Sequence, residues 1–295
     1  MANTRELRRR IKSIKNTSQI TKAMQMVAAT KMRRAQEQAI SGRPYSENLF
    51  VSLSRLLPKV DRSIHPLLLG NNSKTAAVVL LSTDKGLVGA LNTNLLRALS
   101  SFIVNKSLAF YTVGRKGRNF VVRAGKDLKA DFENLDVITF RQAKQLARML
   151  MDAFKAEEIG QAFLVYPDFV STLKQEPKIV KILPIDLDSV LSEAKQSAHA
   201  EVKKDDAILN TEFKFEPNAD TLLDFILVHH IEEQIYQSLL ETKASEHSAR
   251  MIAMQNATDN AKELVEDLKL TYNQTRQASI TTELLEITTA QIAME

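Results

Sequence analysis

The last 78 residues, Asn218 to Glu295, contain neither glycine nor proline, and neither do the first 41. All eight glycines and all seven prolines fall between Gly42 and Pro217. These two residues punctuate a chain because one frees the backbone and the other removes a donor. The sequence therefore divides into two helical ends and a turn-rich middle. An unbroken helix from Asn218 to the end is about 115 Å long at 1.5 Å rise per residue. Most helical stability comes from burying an apolar face, so such a helix needs partners. They are another helix of this chain, other chains, or both.

Both ends carry the required stripe. Asn3 or Thr4 can cap a helix through Leu7, Ile11 and Ile14, whose 4-then-3 spacing lines one face. The stripe continues through Ile20, Met24, Val27, Ala28, Met32, Ala35 and Ala39, small and thioether side chains that suit a close, adaptable contact. Ser41-Gly42-Arg43-Pro44 is expected to kink or break the helix, and the apolar pattern resumes at Leu49, Leu53, Leu56 and Leu57. At the other end, Phe213-Lys214-Phe215-Glu216-Pro217 reads as a short strand, after which Asn218 or Asp220 can cap the long helix. That helix is expected to bury Leu222, Phe225, Ile226, Val228, Ile231, Ile235 and Leu239, then Ile252, Ala253, Ala257, Ala261, Leu264 and Leu268. Steps of 3 and 4 sustained over this length are the pattern of a coiled coil.

Two such helices leaving one middle region run antiparallel. The longer one then leaves a tip of about 20 residues unpaired, some 30 Å. This tip, Gln274 to Glu295, is rich in β-branched side chains, which are poor helix formers. A sleeve of other protein is expected around it.

The middle changes period. Ala76 to Leu81, Leu108 to Val113, Gln161 to Tyr166 and Lys178 to Ile185 read as strands, with helices through Leu91, Leu95, Leu96 and Leu99 and from about Thr139 to Glu157. Continuous apolar strands alternating with helices indicate a Rossmann-like α/β layer with a mostly parallel sheet. Residues 186–210 are polar and read as a short helix and linker. The fold class is thus a central α/β domain, residues 76–210, joined to a two-helix coiled coil made of residues 1–57 and 218–295.

Charge is unevenly spread. Residues 1–34 hold ten basic side chains and the single acid Glu6, while the whole chain carries a net charge of only +5. Such a helix can bind nucleic acid, lie on an anionic membrane, or be an organelle presequence. Against nucleic acid, residues 1–44 contain no aromatic side chain and so no stacking platform. The absence of cysteine excludes disulfides, thiolate metal sites and thiol catalysis. Gly86-Leu87-Val88-Gly89 lacks the first glycine of a dinucleotide fingerprint, and nothing matches a P-loop. His229 and His230 point about 100° apart on a helix, with no acidic partner at metal-ligand spacing. No catalytic set and no cofactor are expected.

Three segments then narrow the reading. Ile11-Lys12-Ser13-Ile14-Lys15-Asn16-Thr17 with Ile20-Thr21-Lys22-Ala23-Met24-Gln25-Met26-Val27-Ala28-Ala29-Thr30-Lys31 resembles the N-terminal signature of the gamma subunits of bacterial F-type ATP synthases. Ala244-Ser245-Glu246-His247-Ser248-Ala249-Arg250-Met251 and Tyr272-Asn273-Gln274-Thr275-Arg276-Gln277-Ala278-Ser279-Ile280-Thr281-Thr282-Glu283 resemble the C-terminal signature, and Thr83 to Asn92 is similar to the central loop. The resemblance covers essentially the whole chain. It departs at Ala90, where the family commonly has glycine, and after Glu286-Ile287, where the family usually has a glycine-containing end.

The resemblance implies a rotor shaft without nucleotide or catalytic site. It turns inside a ring of alternating alpha and beta subunits, with its α/β domain resting on the membrane c ring beside the epsilon subunit. Ion flow through the c ring is thereby coupled to ATP synthesis. The resemblance places Met24, Arg250, Arg276, Gln277 and Thr281 against the alpha/beta ring. It places Phe213, Phe215 and Glu216 in the turn facing the c ring and epsilon. Entry into the signature directly from Met1 is expected of a bacterial chain, peripheral on the cytoplasmic side of the plasma membrane.

Overall fold

The computed structural model describes residues 4–56, 65–103, 107–186, 218–292 and 294. They form two compact units, one of Lys31–Ala249 and one of Met1–Thr30 with Arg250–Glu295. Helix α1 (Thr4–Leu56) and the last helix, α5 (Ala219–Ile292), each contribute to both units.

The larger unit is built on a five-stranded sheet of β1 (Ala76–Leu81), β2 (Leu108–Val113), β3 (Asp127–Phe132), β4 (Gln161–Phe169) and β5 (Gln175–Leu183). The order is β3-β2-β1-β4-β5; the first three pairings are parallel and β4–β5 is an antiparallel hairpin. Every residue of β1 and β2 is buried, because both sheet faces are covered. On one face Val78, Leu80, Phe110 and Val165 pack with α2 (Leu91–Phe102) and α3 (Arg115–Arg123). On the other, Val79, Leu81 and Leu164 pack with Leu146 and Leu150 of α4 (Phe140–Lys155) and with Leu227, Ile231 and Ile235 of α5.

Strand β3 and helix α3 escape a sequence reading for different reasons. β3 is a half-exposed edge strand whose residues alternate between exposed and half-buried, so it has no apolar run. α3 follows Gly114 and contains Gly117, which look like loop glycines but are contact glycines. Gly114 adopts φ +97°, and a Cβ there would lie 2.3 Å from the Ser82 carbonyl oxygen. At Gly117 a Cβ would meet Ser82 Oγ at 2.8 Å, the atom to which the Gly117 amide donates at 2.8 Å.

The predicted break at Ser41-Gly42-Arg43-Pro44 does not occur. α1 is continuous from Thr4 to Leu56 with Pro44 inside it. The carbonyl oxygen of Pro44 accepts from Asn48 Nδ2 at 2.8 Å, and the open side of Gly42 faces the Gln237 side chain of α5. A Cβ there would lie 4.0 Å from Gln237 Oε1, an ordinary contact, so the packing does not demand glycine at this position. Phe225, expected in the core, is 65% exposed, and Leu223 and Leu227 take the buried positions of that turn.

In the smaller unit the first part of α1 runs antiparallel to the later part of α5. Arg8 Nη2 donates to Tyr272 Oη at 2.8 Å and its guanidinium carbon lies 5.6 Å from the Tyr272 ring centre. Nearer the other end, the Thr21 and Thr258 hydroxyls are 2.7 Å apart and buried. The seam follows Leu7, Ile14, Thr21 and Ala28 on α1 at steps of seven, opposite Met254, Thr258 and Val265 on α5. Two sequence assignments shift by one residue. Ile20 is 61% exposed while Thr21 is buried, and Leu264 is 48% exposed while Val265 is buried. A threonine pair satisfies itself across the seam, which a reading restricted to apolar residues cannot anticipate.

Candidate partner-binding surfaces and the helix anchor

Between Leu240 and Met251 the apolar stripe of α5 lapses into Thr242-Lys243-Ala244-Ser245-Glu246-His247-Ser248-Ala249, yet every one of these residues is buried. Polar side chains can be buried only when they are bonded, and these are. Ser245 Oγ donates to the Pro167 carbonyl on β4 at 2.9 Å, and Ser248 Oγ to the Thr172 carbonyl in the β4–β5 turn at 2.6 Å. Lys243 Nζ reaches Glu246 Oε2 at 3.4 Å and donates to the Asn134 carbonyl at 3.3 Å. The Asn134 side chain donates to Glu246 Oε2 at 3.3 Å and to the Ser82 carbonyl at 2.8 Å, tying the helix to the end of β1.

The glycine loop after β1 joins the same anchor. Val88 and Leu91 close on Ala249. Gly89 has φ +56°, and Leu87 is held at φ +60° beside it. Thr83 and Asn92 brace the loop, with Asn92 Nδ2 donating to Thr83 Oγ1 at 2.8 Å. Through Val88 and Leu91 the loop is a packing surface for α5. Sequence reasoning missed Lys243, Ser245, Glu246, Ser248 and Asn134; the available signal was the lapse of the apolar stripe, which only specific polar partners can fill.

Burial moves several titrations in this unit. His230 loses solvent almost entirely, and its ring is pushed down to about 4. Burial, then the neighbouring Asp168 carboxyl, push Glu241 up to about 7. Burial also raises the Tyr166 phenol. On the surface, a hydrogen bond and the charge of Lys31, 3.1 Å away, lower Asp136.

In the smaller unit the basic side chains Arg5, Arg9, Arg10, Lys12 and Lys15 are exposed, as is Arg8, which reaches across to Tyr272 of α5. Met24 is half-buried at the flank of the seam, and Arg250 is half-buried at the start of this part of α5. Arg276, Gln277 and Thr281 are exposed, the last two one helical turn apart, with Thr281 Oγ1 donating to the Gln277 carbonyl at 3.0 Å. Phe213, Phe215 and Glu216 lie outside the described residues.

From Ile280 to Ile292 every residue is exposed, and the segment is nevertheless helical. Its unpaired length starts at Ile280 rather than Gln274, because Thr275 and Ser279 are still half-buried. Thr282, Thr288 and Thr289 donate their hydroxyls to the carbonyls of Ala278, Leu284 and Leu285. Their outward surface is methyl, alongside Leu284, Leu285, Ile287 and Ile292. Among the described residues, no helix is long and apolar enough to cross a membrane.

The described residues thus comprise an antiparallel helix pair, a buried polar anchor of α5 on the α/β layer, and an exposed, largely apolar end of α5. The family model described as ATP synthase matches residues 3–294. The ATP synthase gamma chain of Methylacidiphilum infernorum is 47% identical over 300 residues, covering 100% of both chains. In fold, the chain resembles one from the Euglena gracilis mitochondrial ATP synthase, with a TM-score of 0.67 at 22% identity over 99% of this chain and 94% of that one. A chain of the Tetrahymena thermophila central stalk and c ring gives 0.59 at 24% identity, over 81% and 99%. This chain belongs to the ATP synthase gamma-chain family.

Proposed function

We propose that the chain is the central rotor shaft of a bacterial F-type ATP synthase. Ion flow turns the membrane c ring, the α/β domain receives that rotation, and the helix pair carries it into a ring of three alpha and three beta subunits, whose conformational changes make or hydrolyse ATP. The chain contributes no catalytic group of its own. It is peripheral, on the cytoplasmic side of the plasma membrane, and the division of labour follows residues 1–57 and 218–295 for the shaft and 76–210 for the foot. Met24, Arg250, Arg276, Gln277 and Thr281 meet the alpha/beta ring; Phe213, Phe215 and Glu216 meet the c ring and the epsilon subunit.

The observation that carries this reading is the contrast along α5. Residues 242–249 are buried and bonded to the α/β layer, whereas residues 280–292 are exposed throughout. A shaft needs a permanent grip at one end and replaceable contacts at the other. Exposed contacts are worth roughly 0 to 1 kcal/mol each, while breaking a buried ion pair costs about 3 to 5 kcal/mol. The test is co-purification from cells expressing a tagged chain. Three alpha and three beta subunits per chain are expected. Recovery without them, or binding to DNA with a steep salt dependence instead, overturns the proposal.

A further inference from the structure

Helix α3 starts without a side-chain cap of its own, because its N-cap residue is Gly114. The first four amides of a helix have no partner inside it, and here the chain just after β1 closes three of them. Arg115 N–H donates to Asp84 Oδ1 at 2.9 Å, Lys116 N–H to the Thr83 carbonyl at 3.0 Å and Gly117 N–H to Ser82 Oγ at 2.8 Å. The fourth, Gly114 N–H, donates to the Phe132 carbonyl of β3 at 3.0 Å. Successive amides of α3 are thus met by successive residues of the loop, in reverse order.

Ser82 also bonds in the other direction. Its carbonyl accepts from Asn134 Nδ2 at 2.8 Å, and the same Nδ2 donates to Glu246 Oε2 of α5 at 3.3 Å. The Asn134 carbonyl accepts from Lys243 Nζ at 3.3 Å. Ser82, Asn134, Lys243 and Glu246 are all buried. Every polar group of Ser82 is engaged: its N–H donates to the Val113 carbonyl at 2.8 Å, and its Oγ donates to the Val113 and Gly114 carbonyls, each at 3.1 Å. The packing is close as well, since a Cβ on Gly114 would lie 2.3 Å from the Ser82 carbonyl oxygen.

We propose that residues 82–84 form a clamp that couples α3 to α5: they cap α3 on one side and, through the Ser82 carbonyl and Asn134, seat the Lys243–Glu246 turn on the other. Displacing Ser82 breaks bonds to β2, α3 and Asn134 together, and buried hydrogen-bond networks are cooperative. The start of α3 therefore sets how firmly α5 is held. Asp84 is the positioning residue at the far end. Its carboxylate bonds α3, at the positive end of the helix dipole, and among the described residues makes no hydrogen bond to α5. In a shaft driven through its α/β layer, such a clamp passes load from the ends of β1 and β2 into α5. The coupling is a property of the chain by itself, so it stands or falls separately from the rotor reading.

Native-state hydrogen exchange on the full chain tests the clamp. Asp84→Ala leaves the Arg115 amide without its acceptor and is expected to lower protection of the α3 amides about fivefold, the usual effect of a lost cap. The amides of residues 243–249 are expected to fall about twofold or more. Those of residues 146–150 on α4, which shares the sheet but none of these hydrogen bonds, should hold. Asp84→Asn keeps a capping acceptor and should restore both α3 and α5. In an Asn134→Ala background the effect of Asp84→Ala should stay confined to α3. Asn134→Ser, whose single O–H can serve only one of the two acceptors, takes its place if Asn134→Ala folds poorly. A loss shared equally by α3, α4 and α5 is plain loss of stability and overturns the clamp. So does an unchanged α5, or an α5 effect that survives without Asn134.

Discussion

His230 and Glu241 lie on the same helix and titrate against each other, which makes the pH dependence of stability a sharp test of the buried environment. Burial lowers the His230 ring from 6.5 to about 4, so the folded chain holds it neutral where the unfolded chain protonates it. That group contributes stability fully above about pH 6.5, and the contribution is lost as pH falls towards 4. Glu241 is raised from 4.5 to about 7, so its contribution is full below about 4.5 and is lost as pH rises to 7. Each proton is worth about 1.4 kcal/mol per pH unit, or about 3 kcal/mol over its window. Between about pH 4.5 and 6.5 the two slopes cancel. Replacing one member exposes the other: His230→Leu should make stability fall with rising pH, relative to wild type, and Glu241→Gln should make it rise, each by about 1.4 kcal/mol per unit. Urea unfolding at half-unit pH steps measures both, and subtracting the wild-type curve removes the remaining titrations. Parallel curves for all three chains would refute the burial argument for both groups.

Lys243→Met removes the ammonium beside the buried Glu246 carboxylate, both side chains being 6% exposed; it should cost up to about 3 to 5 kcal/mol in denaturant unfolding, with much of the loss recovered by adding Glu246→Gln. Gly160→Ala would place a Cβ 2.0 Å from the Ser73 carbonyl oxygen, so the backbone must shift and a loss of about 1 to 3 kcal/mol is expected in the same assay. Thr21→Val or Thr258→Val alone should cost about 1 kcal/mol, and the double variant less than the sum of the two, because both remove the same bond across the seam; additive costs would refute that bond. Ala257→Pro removes an amide donor within α5 and costs about 3 kcal/mol or more; ATP synthesis by reconstituted complexes should fail while the circular dichroism of the α/β layer persists, and undiminished synthesis would refute a rigid shaft.

How much of this was legible depends on what each residue packs against. β1 and β2 are readable because helices cover both sheet faces and every position must be apolar. β3 is not, because Asp127, Lys129 and Asp131 alternate along an edge where one side remains open. The absence of glycine and proline reveals α5 and the first part of α1 but not the continuation of α1 through Gly42 and Pro44, nor the phase of either helix. Ile20 and Leu264 look like seam residues, yet Thr21 and Val265 occupy it, because a hydrogen-bonded threonine is as acceptable there as an isoleucine. The anchor on α5 hid for the same reason: Ser245 and Ser248 are buried through their bonds to backbone carbonyls, and composition alone marks them as surface residues.

The chemistry of α5 also bears on how a rotating shaft avoids sticking. A hydroxyl facing outward from the tip could bond to whatever surrounds it, and each such bond to a buried partner would have to be broken as the shaft turns. In Thr281, Thr282, Thr288 and Thr289 the hydroxyl is instead engaged by a carbonyl one turn back in the same helix. Threonine back-bonding of this kind slightly weakens a helix, and β-branching adds to that cost. The return is a surface whose contacts are methyl and aliphatic, with Glu283 and Glu286 as its charges between Ile280 and Ile292. Dispersion and apolar burial are non-directional, so their sum changes little as one surface slides past another. Lys243, Ser245, Glu246 and Ser248 show the opposite arrangement: directional bonds, buried, to a partner that never changes. Threonine at the tip and serine at the anchor thus use the same functional group for opposite ends, and exchanging the two patterns should lock the tip and loosen the grip.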